Sequence, residues 1–136
     1  MTSIASKTKE KNYEVEIKSA SGHTVFADEP THLGGQNKGM EPTEFLIAGL
    51  AACTSATLKM YAQRKKWDLQ AVNTNIELIK SEKSGELPSI INKVELIGNL
   101  DEKQRERLMV IANKCPVNRM LSGGLKIESK EVDSLD

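Results

Sequence analysis

The sequence has no excess of charge of either sign: its 19 basic and 19 acidic residues cancel. That balance argues against a nucleic acid or a charged membrane surface as the main partner. Residues 1–11 are polar and mixed in charge, with no apolar segment, so no secretory leader is expected. No run approaches 18 apolar residues, and the apolar stretch 45–54 is too short to cross a bilayer, so no membrane span is expected. A cytoplasmic location follows as the expectation. Histidine and cysteine are scarce, with two of each. Neither cysteine has a second ligand at the short spacing a zinc site uses, so no metal is expected. In a reducing compartment a permanent structural disulfide is not expected either. Packing, metal binding and redox chemistry are the roles that two such cysteines can have.

What remains is an ordinary globular composition, 38% hydrophobic and 28% charged over 136 residues. This length suits one domain with its own core. Residues 1–11 read as a flexible N-terminal arm, and 12–136 as a single domain. Tyr13, Val15 and Ile17 alternate with Glu14, Glu16 and Lys18, the period of a half-buried strand. A turn at Ser21-Gly22 returns the chain along residues 24–27. Residues 28–42 hold Pro30, Gly34, Gly35, Gly39 and Pro42, and are expected to form a loop of functional length. Pro42 can open a helix, because a first-turn proline loses no hydrogen bond.

That helix is predicted over residues 43–65. Phe45, Leu46, Ile47, Leu50, Ala51, Ala52 and Ala56 make its first half apolar on nearly every side, the mark of a buried helix. A helix so apolar is expected to pack against a second copy of the chain. Strands are predicted near residues 71–81 and 89–98, joined at Ser84-Gly85. Asp101 and Gln104 form a capping box for a helix running to about Asn113. Cys115-Pro116 interrupts it, a short turn over residues 117–121 follows, and Leu125, Ile127 and Val132 suggest a last strand. The order ββ–α–ββ–α–(α)–β is an α+β fold.

Cys53 sits midway along the apolar helix, where a free cysteine can simply pack as a small hydrophobe. Cys115 precedes Pro116 at a helix start, where unpaired N–H groups favour a thiolate. A chance cysteine at a helix break is an equal reading. His23 and His32 read as solvated residues. Should the fold bring the two cysteines together, one thiolate could attack a peroxide and the other could condense with the resulting sulfenic acid.

The run Leu33-Gly34-Gly35-Gln36-Asn37-Lys38-Gly39-Met40-Glu41-Pro42-Thr43-Glu44-Phe45-Leu46, continued by Ala51-Ala52-Cys53-Thr54-Ser55, resembles the signature of the OsmC/Ohr family. Residues 57–67 are closer to an OsmC-like subgroup, and Lys114-Cys115-Pro116-Val117 resembles the family's second cysteine motif. The resemblance covers residues 13–131. It implies an intertwined homodimer with two central helices packed against antiparallel sheets. It also implies a peroxidatic Cys53, a resolving Cys115, organic hydroperoxide substrates and recycling by an external dithiol such as a lipoyl group. No metal or flavin is implied. Family peroxidases place an arginine from the N-terminal half beside the thiolate, whereas the first arginine here is Arg64. They also carry a glutamate directly after the signature proline. Thr43 stands there, and Glu44, one step later, is the candidate carboxylate, with first-turn helix stabilisation as its other reading. Arg64 and Arg119 are the candidate substitutes for the arginine. An OsmC-type binding protein for an apolar small molecule, or a redox sensor with little turnover, are the competing readings.

Overall fold

The computed structural model describes residues 2–135. Contacts divide the chain into two compact units, Met1–Gly49 and Leu50–Asp136.

In the first unit, β1 (Ile4–Thr8), β2 (Val15–Ser19) and β3 (Thr24–Ala27) form an antiparallel sheet in that order. The alternation that marked residues 13–17 becomes β2, whose Ile17 pairs with Ser6 on one side and Val25 on the other. Residues 4–8, expected within a flexible arm, form the edge strand β1. All five of its residues are exposed, so it left no apolar alternation to read, and its order comes from the ladder with β2.

The glycine-rich loop that follows contains a short 3-10 turn, Thr31–Leu33. It is organised by a carboxylate. Asp28, 2% exposed, accepts the backbone N–H groups of Tyr13 and Glu29 on Oδ1 at 3.1 and 2.8 Å, and those of Gln36 and Lys38 on Oδ2 at 3.2 and 3.1 Å. Burial alone would raise the pKa of Asp28, but these four N–H donors outweigh it and hold the pKa below the usual value. The loop also closes tightly on its neighbours: a Cβ at Gly35 would overlap the Glu29 carbonyl, and one at Gly39 the Phe26 carbonyl.

Helix α1 (Pro42–Lys65) starts on the proline, as expected. It is long and apolar enough to cross a membrane by length and composition, against the expectation from consecutive apolar runs. That expectation did not allow for the scattered polar positions Thr43, Ser55 and Thr57, which interrupt an apolar run without making a helix hydrophilic. Nor is it buried all round. In the second unit it buries Leu50, Thr54, Leu58, Tyr61 and Ala62, spaced along one face at three and four residues. Ala52, Ala56 and Met60 stay exposed, Met60 at 63%.

The second unit continues with β4 (Asp68–Ile79) and β5 (Ser89–Asn99), an antiparallel hairpin with an irregularity between Leu69 and Ala71. Along β5 burial alternates strictly, turning Ile90, Asn92, Val94 and Leu96 inward. Helix α2 (Glu102–Ala112) begins with the expected capping box: Asp101 accepts from Gln104 N–H, and the Gln104 side chain accepts from Asp101 N–H. Helix α3 (Pro116–Gly123) follows. The core consists of Leu58, Tyr61 and Ala62 of α1, Leu69 of β4, and Leu108 and Ala112 of α2, with Trp67, Val94 and Leu96 packed around them. Lys59 Nζ donates to the Leu69 carbonyl at 2.9 Å, fixing α1 to β4. Arg105 spends Nε, Nη1 and Nη2 on the carbonyls of Leu100, Leu96 and Gly98, clamping α2 to the end of β5.

The mixed α and β order with antiparallel sheets is the expected α+β fold. The last strand is not formed among the described residues. Leu125, Ile127 and Val132 lie on irregular chain and are exposed at 61%, 84% and 49%. A strand needs a ladder partner for its N–H and C=O groups, and among the described residues this segment has none.

Candidate functional site

Both cysteines belong to the second unit and both are free. Cys53 lies in the middle of α1 and is half-buried. Its sulfur is 3.9 Å from the Thr57 hydroxyl one turn on, the i, i+4 spacing of a helix face. Cys115 is fully buried at the junction of α2 and α3. Its extended backbone makes it the N-cap of α3, with Pro116 as the first helical residue, and its sulfur accepts the Asn118 N–H at 3.4 Å.

The Cys53 thiol stands close enough to Cys115 to act on its ionisation. Burial pushes the Cys115 thiol up. The Asn118 N–H opposes that shift, the adjoining Cys53 thiol adds to it through hydrogen bonding and charge, and the Thr54 hydroxyl opposes it. The helix-start stabilisation expected for Cys115 is therefore present, and the cost of burying a charge outweighs it.

Thr54 and Asn92 complete the surroundings. The Thr54 hydroxyl is buried and donates to the Leu50 carbonyl at 2.8 Å. With its proton used, it accepts from the Asn92 side-chain amide at 3.2 Å. Asn92 Oδ1 is left buried with no hydrogen-bond partner among the described residues. Sequence reasoning missed both residues. The signal was available, because strict alternation in β5 puts Asn92 on the inward face among Ile90, Val94 and Leu96. A cavity of about 420 Å³ opens beside the group, with Leu50, Ile90 and Leu121 as apolar wall and Asn92, Asn113 and Asn118 as polar points.

The other candidates are placed as follows. Glu44 lies in the first turn of α1, in the first unit, and its carboxylate accepts the Glu41 N–H at 3.0 Å. Helix α1 is continuous, so the nine residues from Glu44 to Cys53 turn the two onto opposite sides of the helix. Arg64 reaches over the Tyr61 ring, 5.7 Å from its centroid. Arg119 is exposed on α3. His23 and His32 are exposed, and no group of three or more metal-ligating side chains exists among the described residues.

The family model for OsmC-like protein matches residues 35–130, most of the chain and both cysteine segments. The chain belongs to the OsmC-like family. No curated protein matches it in sequence. Among solved structures it is similar to an OsmC-like protein from Mycoplasma pneumoniae, 23% identical, covering 90% of this chain and 88% of that one with a TM-score of 0.77. It is similar to an organic hydroperoxide resistance protein OsmC from Legionella pneumophila, 21% identical over 90% of each chain with a TM-score of 0.67. It is also similar to the organic hydroperoxide resistance protein OhrB of Bacillus subtilis, 20% identical, covering 90% and 91% with a TM-score of 0.61. At these identities the likeness establishes the OsmC fold.

Proposed function

We propose that this OsmC-like protein reduces organic hydroperoxides through Cys53 and Cys115. The observation that supports the reading is that two free cysteines, distant in the chain, one half-buried and one fully buried, lie near enough for the Cys53 thiol to influence the ionisation of Cys115. The half-buried Cys53 is the one a substrate reaches. As thiolate it attacks the outer peroxide oxygen, and the O–O bond breaks. Cys53 becomes a sulfenic acid, and the alkoxide leaves and takes up a proton as the alcohol. Cys115 then attacks the sulfenic sulfur. A disulfide forms and the hydroxyl leaves as water. An external dithiol, a lipoyl group being one example, gives two electrons and two protons to restore both thiols. The raised pKa of Cys115 suits a resolving thiol, which is protonated and quiet until its partner is oxidised. The apolar wall of the adjoining cavity favours alkyl hydroperoxides over hydrogen peroxide.

Two features support a homodimer. The stripe Ala52, Ala56 and Met60 is uncovered on a helix apolar enough for burial. The segment carrying Leu125 and Ile127 leaves both side chains exposed and pairs with no strand among the described residues. A second copy would cover both. A cytoplasmic protein that needs no metal, flavin, membrane or nucleic acid is the accompanying reading.

The test is steady-state consumption of tert-butyl hydroperoxide with a dithiol. Cys53→Ser should abolish it, and Cys115→Ser should allow oxidation of Cys53 without a disulfide and without turnover. A Cys53→Ser protein that keeps its rate overturns the assignment. A second reading, a redox sensor, draws on the lack of any arginine before Arg64. It expects the disulfide after one equivalent of hydroperoxide, with no sustained turnover.

A further inference from the structure

At the far end of α1, three cations gather on one aromatic ring. Arg64, Lys65 and Arg107 lie 5.7, 5.8 and 5.8 Å from the centroid of Tyr61. Tyr61 itself is buried, while all three cations are exposed. Arg64 and Lys65 have a local reason to be there, since positive charge suits a helix C-terminus. Arg107 comes from the middle of α2 and is held there by donating its Nε–H to the Tyr61 hydroxyl, 3.0 Å away.

The donors of Arg105 and Arg107 are spent differently. Arg105, two residues earlier, uses all three nitrogens of its fork on backbone carbonyls. Arg107 uses Nε alone. Its two terminal nitrogens, the Arg64 guanidinium and Lys65 Nζ make no hydrogen bond among the described residues. Nor is any of the three in an ion pair there, where the ion pairs are those of Lys7 and Lys18 with Glu16. Three positive side chains with unused donors thus stand around one ring, each 5.7 to 5.8 Å from its centroid. A tetrahedral oxyanion answers both conditions, because its oxygens take two prongs of an arginine and a lysine at once while its charge offsets theirs.

We propose that Arg64, Lys65 and Arg107 form a binding site for a phosphate dianion, free or as a phosphate monoester. The site lies outside the cysteine chemistry and does not depend on it. A reporter is built in. Trp67, the single tryptophan, packs edge-on against Tyr61 with ring centroids 5.6 Å apart. Tyr61 is a second reporter: the Arg107 hydrogen bond, above all, and the charges of Arg107, Lys65 and Arg64 hold its pKa down. A bound dianion relieves that pull.

The experiment titrates the reduced full-length protein with inorganic phosphate and, separately, with glycerol 3-phosphate, against sodium chloride at matched ionic strength. Trp67 emission and Tyr61 phenolate absorbance are followed. A saturable emission change with phosphate, accompanied by an upward move of Tyr61 ionisation, is expected. Saturation by phosphate alone assigns a free anion, and saturation by both assigns a phosphoryl group. Arg64→Gln and Lys65→Gln, both at exposed positions, and Arg107→Gln should each raise the half-saturating concentration about tenfold, the scale of one charge-assisted contact. Circular dichroism checks that each variant is folded. A response that follows chloride equally, or saturation unchanged in Arg64→Gln and Lys65→Gln, overturns the site.

Discussion

The side chain of Asn92 donates to the Thr54 hydroxyl across 3.2 Å, tying β5 to the residue that follows Cys53. The hydroxyl has one proton, and Leu50 holds it. Thr54→Val keeps the shape and removes the acceptor, leaving the inward Asn92 amide without a partner. Leaving a buried polar group unpaired costs about 1–3 kcal/mol. Urea unfolding should show that loss for Thr54→Val and little for Thr54→Ser. A loss in Thr54→Ser with none in Thr54→Val would assign the effect to the γ-methyl instead.

Cys115 predicts a decline of stability in mild alkali. Its thiol pKa is raised by burial, so the unfolded chain loses that proton at lower pH than the folded one. The stabilisation is complete below the ordinary thiol pKa, roughly 8.5, and is lost as pH rises through the raised folded value. The reduced protein should therefore have a urea midpoint that falls across this range, and Cys115→Ala should remove that part of the fall. A midpoint with the same pH dependence in both proteins contradicts the assignment.

Asp28 predicts the opposite sensitivity, toward acid. Its pKa is held down in the fold, so its contribution is present above the unfolded value near 3.8 and disappears as pH falls through the lower folded one. The protection factors of the Gln36 and Lys38 amides, taken against the intrinsic exchange rate at each pH, should be high at neutral pH and fall in acid. In Asp28→Asn both amides should exchange fast throughout. Slow exchange in that variant would show that the loop holds without the carboxylate.

Leu58 is fully buried in the core where α1 meets α2 and β4. Leu58→Ala should cost about 2–5 kcal/mol, combining lost transfer energy with the cavity left behind. Met60→Ala, on the exposed stripe two residues away, should change a monomer's stability little. A marked loss there that depends on protein concentration would mean that a second copy covers it.

Local rules made much of the fold legible. The proline start of α1, the capping box of α2 and the alternation read at residues 13–18 are each decided by nearby residues, and a helix or strand forms at each. The strand β1 was not legible, because an edge strand exposed along its whole length needs no apolar signal. The expected last strand failed for the converse reason: Leu125, Ile127 and Val132 have the pattern but no ladder partner among the described residues. At the site, the two cysteine motifs were visible as motifs. The pairing of Thr54 with Asn92 was not, and neither, in the first unit, was the loop-organising role of Asp28, since the hydrogen-bond partner of a buried side chain is set by which groups tertiary structure brings to it.

The sulfur of Cys115 also serves α3, whose first turn rests on it as capping acceptor. A cap made of sulfur can be consumed by oxidation, as one made of a serine or aspartate oxygen cannot. Once that atom is bonded to Cys53 it is a poorer acceptor with a fixed direction, so the opening turn of α3 should fray in the oxidised protein. Exchange of the Asn118 amide should be faster in the disulfide form than in the dithiol form, and equal rates would show that the turn stands without its cap. On the proposed cysteine chemistry, the thiol state would thereby be carried to the backbone at Asn118, which lines the neighbouring cavity.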